Sequence, residues 1–166
     1  MRYWTGAWTS EGAGWGLLDA RTGAAVNPLD FVTDEKIEMT DWEVQDFAVQ
    51  IVRDQLKRIN RKLMSWQGHP GVDPSIWFIG DSGPEWIVVR AVRYPALKAD
   101  PPAHWRQIAE RCARLGNVGH FASVSVASAD DAFDPTGAVR PEPLWRGHGT
   151  HVLFDGLVAP PVWLKL

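Results

Sequence analysis

Residues 76–92, IWFIGDSGPEWIVVRAV, constrain the fold more than any other stretch of the chain. Two apolar runs flank Gly80-Asp81-Ser82-Gly83-Pro84. Glycine supplies the positive φ and proline the fixed φ that a reversal needs, so the stretch predicts a β-hairpin. An amphipathic helix precedes it, and a second helix and a further strand follow. That order, helix–hairpin–helix–strand, implies one sheet with helices packed on it.

The first helix opens on Thr40-Asp41-Trp42-Glu43, a capping box in which Thr40 caps and Glu43 reaches back. Val44, Ala48, Ile51, Val52, Leu56, Ile59, Leu63 and Trp66 then recur with a period near 3.6, which marks one buried face. Gly68 and Pro70 supply a stop. The periodicity therefore predicts a helix over residues 41–67, roughly 40 Å long at 1.5 Å per residue. It also predicts Ile59 in the core, where truncation to alanine would cost about 2–5 kcal/mol.

Pro101-Pro102 opens the second helix, with Trp105, Ile108, Ala109, Cys112 and Leu115 as its apolar face and Gly116 as its stop. Val118–Ser128 alternates cleanly, which predicts a strand with one side on the core. Residues 129–144 hold three prolines and several acids and read as a loop, and Thr150–Leu157 reads as a last strand. Near the N-terminus, Asp19-Ala20-Arg21-Thr22-Gly23 reads as a turn between short strands at Trp15–Leu18 and Ala24–Val26.

The expected fold is α+β, with mixed α/β as the alternative. Its central, mostly antiparallel sheet holds 75–80, 86–94, 118–128 and 150–157, and two helices pack on it. With 166 residues the chain is expected to form a single domain. It divides into a β-rich N-terminal extension (1–39), the core (40–128), and a loop with the final strand (129–166). A chain of this length buries about 70% of its unfolded surface, so it needs no covalent staple.

Composition narrows function mainly by exclusion. A formal net charge of −3 gives no global attraction to nucleic acid or anionic lipid. The single cysteine, Cys112, rules out an internal disulfide and a four-thiolate zinc site. No apolar run nears the ~20 residues of a membrane span, and MRYWTGAWTSEG lacks the apolar centre of a signal peptide. A cytoplasmic location is expected. Tryptophan is the outlier, with ten residues spread along the chain. Trp42, Trp66, Trp77, Trp86 and Trp105 fall within periodic elements and are expected in the core. Trp4, Trp8 and Trp15 sit among Gly, Ser and Thr, where they could form a binding face.

Several residues are candidates for chemistry. Arg90 lies mid-strand, where a guanidinium binds an anion or makes a structural ion pair, and the ion pair is preferred. Arg53, Lys57, Arg58, Arg61 and Lys62 form a basic stripe opposed by one acid, Asp54. The stripe either complements the helix dipole or meets a phosphate backbone or an acidic partner. In Trp145-Arg146-Gly147-His148-Gly149-Thr150-His151, the glycines admit close backbone approach. Trp145, Arg146, His148 and His151 are then ligand contacts or simply a tight turn into the last strand. Cys112 and His120 are eight residues apart, and the cysteine reads as inert because it sits late on an apolar helix face. Asp130, Asp131 and Asp134 lack calcium-loop spacing. No metal site and no cofactor are expected.

The element order over 41–128 resembles the core of the restriction-endonuclease-like PD-(D/E)xK superfamily. That resemblance would place a metal-binding acid at Asp81 and Glu-x-Lys on the next strand. Here the strand carries Arg90-Ala91-Val92 instead, and an arginine repels a hard cation. Glu85 is the one nearby acid that could substitute. The resemblance implies a degenerate nuclease-like fold rather than a nuclease. The favoured function is a non-enzymatic binding or regulatory protein acting through a protein partner, without membrane attachment. A nucleic-acid-associated protein is the alternative, and a hydrolase using His148 or His120 ranks third.

Overall fold

The computed structural model describes residues 18–26, 35–129 and 141–159. Trp4, Trp8, Trp15, the first predicted strand's start and Asp130, Asp131 and Asp134 lie outside them. The chain divides into two compact units, Met1–Lys36 and Ile37–Leu166. In the first, the backbone N–H groups of Arg21 and Thr22 donate to one carboxylate oxygen of Asp19, and Gly23 takes φ 68°. Leu18 and Ala25 bridge across this turn.

The second unit holds, in order, α1 (Asp41–Arg58), β1 (Lys62–Trp66), β2 (Ile76–Ile79), β3 (Pro84–Arg93), α2 (Trp105–Cys112), β4 (Val118–Ser128) and β5 (Thr150–Leu153). The fold is α+β. Its five strands lie side by side in the order β1-β2-β3-β4-β5. Only β3 and β4 pair in parallel, so the sheet is mostly antiparallel.

The hairpin forms as its sequence dictates, with Ile79 opposite Pro84 and the Gly80 N–H donating to the Gly83 carbonyl at 2.8 Å. The parallel β3–β4 pair makes the centre, and both its faces are covered. On one, Ile87, Val89, Ala122, Val124 and Val126 meet Val44, Ala48, Val49, Val52 and Leu56 of α1. On the other, Trp86, Val88 and Phe121 meet Trp105, Ile108 and Cys112 of α2. This corrects the expectation that β4 buries one side. The connection that makes β3 and β4 parallel carries α2 onto the second face, as parallel pairs require. Gly119 stands opposite Trp86, and a Cβ there would lie 2.3 Å from the indole, so that position must stay bare.

The largest correction lies between 59 and 66. The helix predicted to residue 67 ends at Arg58, and Lys62–Trp66 form the edge strand β1. Asn60 adopts φ 58°. Its N–H donates to Lys57, and the Arg61 N–H donates to Leu56 at 2.9 Å. These two bonds are the Schellman pattern, which satisfies the last helical carbonyls and turns the chain out of the helix. Asparagine tolerates the left-handed region because its short amide bonds locally. Ile59 is consequently 53% exposed and Trp66 48%, against the expectation that both are core. Trp42, on the first turn of α1, is 49% exposed, again against expectation.

Smaller differences share one cause, chain ends that turn earlier than the apolar pattern suggests. The α2 helix begins at Trp105, whose N–H bonds the Pro102 carbonyl, and ends at Cys112, leaving Leu115 exposed. The strand β5 stops at Leu153. Gly156 then takes φ 97°, and Val158 returns to bridge Phe121.

Candidate functional site

The basic stripe is divided by the turn at Asn60. Arg53, Lys57 and Arg58 remain on α1, Lys62 lies on β1, and Arg61 joins them. Asp54 accepts a bond from Nε of Arg53 at 2.8 Å and stands 3.6 Å from Nζ of Lys57. The neighbouring Arg53 guanidinium holds the Asp54 carboxyl below its ordinary range. Arg61 reaches Asp81 in the hairpin turn at 2.5 Å and depresses that carboxyl likewise. Arg58 and Lys62 are exposed and have no ion-pair partner among the described residues.

Trp66 gives this corner its character. Its strand pairing sets Trp66 opposite Ile76, whose side chain lies in the α1-facing core. The indole therefore rises beside α1, where Arg53 and Lys57, one turn apart, stand 5.5 and 5.8 Å from its centroid. Cations at this range are attracted by the ring quadrupole and fix the ring's position. Met64, on the same strand, is also exposed. The β1–β2 register shifts between Leu63 and Ser65, so a bulge interrupts this edge strand. Sequence reasoning missed Trp66 because it counted as the last residue of a helical stripe. The available signal was Asn60 following Ile59.

The other candidates are distributed. Arg90 makes a two-pronged pair with Asp73, Nη1–Oδ1 at 2.9 Å and Nη2–Oδ2 at 2.6 Å. The Asp73 side chain is only 5% exposed, and His104 approaches it at 3.5 Å. Arg90 is thus the structural ion pair preferred from sequence. Asp73 itself, just before a strand in Asp73-Pro74, was not singled out.

Glu85 and His120 meet at 2.7 Å on the α1-facing side of β3 and β4, with the His120 ring 5.9 Å from that of Phe78. Glu85 folds over Gly80, where a Cβ would collide with its carboxylate at 1.9 Å. Asp81 points instead to Arg61. Hence Asp81 and Glu85 each have a cationic or imidazole partner. Among the described residues, no group of three or more His, Cys, Asp or Glu side chains is arranged to hold a metal ion. Cys112 is buried, and burial pushes its thiol up to about 11, which keeps it protonated.

The 145–151 loop is tied to the start of α1. Arg146 forks onto Glu43, Nε–Oε1 at 2.8 Å and Nη2–Oε2 at 3.1 Å. Its N–H donates to the Ile37 carbonyl, and Trp145 bridges Glu38. Gly147 has φ 75°, Nδ1 of His148 lies 3.1 Å from the Arg146 carbonyl, and Nε2 of His151 lies 3.2 Å from that of Ala129. These contacts make a turn that braces the helix start. Arg93 braces it from the sheet, with Nε donating to Asp41 at 3.2 Å and Nη2 donating to the Met39 carbonyl. Nη1 of Arg93 is buried without a hydrogen bond, 3.6 Å from Glu38. Arg93 lines two open recesses, one of about 190 Å³ that Tyr94 and Leu144 also line and one of about 410 Å³ that Gln45 and Pro70 also line.

Among the described residues no helix is long and apolar enough to cross a membrane. Residues 42–160 match the model of a family described as a domain of unknown function (DUF8840). No curated protein matches the chain, and no solved structure does.

Proposed function

The chain belongs to the DUF8840 family, the domain of unknown function, and we propose that it is a non-enzymatic binding protein that engages a protein partner through the α1–β1 corner. The observation that carries this reading is Trp66, held half-open between Arg53 and Lys57 on an edge strand. A large ring fixed before contact loses little freedom on binding, and Trp and Arg are the residues that dominate interface energetics. Ile59 and Met64 add apolar surface next to it in the chain. Elsewhere the polar groups singled out are engaged internally: Arg90 by Asp73, Glu85 by His120, Arg146 by Glu43. A cytoplasmic site of action fits a chain with one thiol and no need of a disulfide.

The nucleic-acid reading has less support. Of the five stripe bases, three are held by Asp54 or Asp81, which leaves few cations for a phosphate backbone. A photo-crosslinking residue at position 64 tests the choice in lysate of the native host, with the same probe at Arg114, exposed two residues past the end of α2, as control. The expected result is a discrete protein adduct at position 64, absent at 114 and lost with Trp66→Ala. A nuclease-sensitive adduct, or equal labelling from both positions, overturns the reading.

A further inference from the structure

We infer that the segment seated on the α1–β1 corner is an acidic stretch of the partner protein, read by side chains rather than by addition of a strand to the sheet. The inference rests on the binding role proposed above. Its basis is a local charge imbalance opposite in sign to that of the whole chain. Five bases lie within residues 53–62, against Asp54, shared by Arg53 and Lys57, Asp81 on Arg61, and the more distant Asp46 and Glu85, which act on Arg53 and Arg61. Arg58 and Lys62 stand exposed on either side of the Asn60 turn without a partner among the described residues. The chain as a whole carries −3. A ligand bearing carboxylates is attracted to this corner and repelled by much of the remaining surface, which gives orientation as well as affinity.

Two features fix the mode of recognition. Trp66 offers an anchored ring with nearly half its surface open, suited to an aliphatic or aromatic side chain between the ligand's acids. The edge of β1 is poorly suited to backbone pairing. Its register slips at Met64, and it opens on Lys62. Bulges and edge lysines are the devices that block a further strand. Specificity therefore falls to Arg58, Lys62 and the Trp66 ring. Among the described residues the corner offers two unpaired cations, Arg58 and Lys62, so a nucleic acid here would gain about two phosphate contacts and no pocket for its bases.

Fluorescence anisotropy on the full chain tests this with a labelled peptide of about twelve residues, Glu and Asp alternating with Leu, at about 50 mM salt. Comparison probes are the same peptide with Gln and Asn for its acids, a single-stranded oligo-dT and a short DNA duplex. The acidic peptide is expected to bind at least about tenfold more tightly than its neutral analogue and to weaken several-fold at about 300 mM salt. Arg58→Glu with Lys62→Glu should lose about tenfold, Trp66→Ala about fivefold, and Arg114→Glu under about twofold. Equal binding of acidic and neutral peptides overturns the inference. So does tighter binding of either nucleic acid, or an equal loss from Arg114→Glu. Circular dichroism spectra matching wild type exclude misfolding of the variants. A crosslinked protein adduct at position 64 without acidic-peptide preference would defeat this inference alone. Absence of that adduct when Trp66 is intact would defeat the binding role itself.

Discussion

The centre of the sheet and the α1–β1 corner use the same residue types to opposite ends. At the centre, Trp86 and Trp105 pack with ring centroids 5.0 Å apart and planes tilted by 36°, and the Trp86 indole N–H donates to the Gly116 carbonyl at 3.1 Å. Arg90 there is locked onto Asp73. At the corner, Trp66 and Lys57 are about half exposed, while Arg53 beneath them is held by Asp54. Burial makes Trp86 and Trp105 structural, whereas a tryptophan half exposed on an edge strand is surface held ready for contact. The difference traces to one residue, Asn60, which ends the helix before its apolar stripe is complete.

The comparison breaks first at the centre. Trp105→Ala should cost about 3–5 kcal/mol in denaturant melts, because a residue only 2% exposed leaves a cavity between α2 and the sheet. Asp73→Ala should cost about 3 kcal/mol by stranding the Arg90 guanidinium, and Asp73→Ala combined with Arg90→Met should recover part of that loss. Asn60→Ala should cost about 1 kcal/mol by removing the short amide that eases the left-handed conformation, and Asn60→Gly should be near neutral.

A smaller effect is pH-dependent. The Thr40 N–H, and then Arg146, hold the Glu43 carboxyl below its ordinary range. A depressed native value stabilises the fold above the unfolded pKa, and that contribution disappears as pH falls through the native one. The gap between wild type and Glu43→Gln should therefore be widest near neutrality and close as pH falls through and below the ordinary glutamate range. Smallest of all, Ile59→Ala should change stability by under about 0.5 kcal/mol, since the residue is already more than half exposed.

Much of this architecture was legible in the sequence. The capping box forms, with the Thr40 N–H donating to Glu43 at 2.8 Å, and the strand Val118–Ser128 has the boundaries its alternation implied. The hairpin was written in its glycines. Residues 59–66 misled because Ile59, Leu63 and Trp66 keep helical spacing across a break. Periodicity reports which residues are apolar, not where the backbone turns, and only Asn60 carried that information. The site was harder to read for a related reason. Asp73, His104 and Arg90 are distant in sequence and meet only once α2 has crossed to the far face. The pairing of Glu85 with His120 likewise needs β3 and β4 to be parallel neighbours, which no local pattern specifies.

The most direct test is a pair of denaturant melts, Trp66→Ala beside Trp105→Ala. With Trp66 at the surface and Trp105 in the core, the first should fall within about 1 kcal/mol of wild type while the second loses about 3 kcal/mol or more. Equal losses from the two would contradict the account, since Trp66 would then belong to the core and the corner would not be a surface held open for a partner.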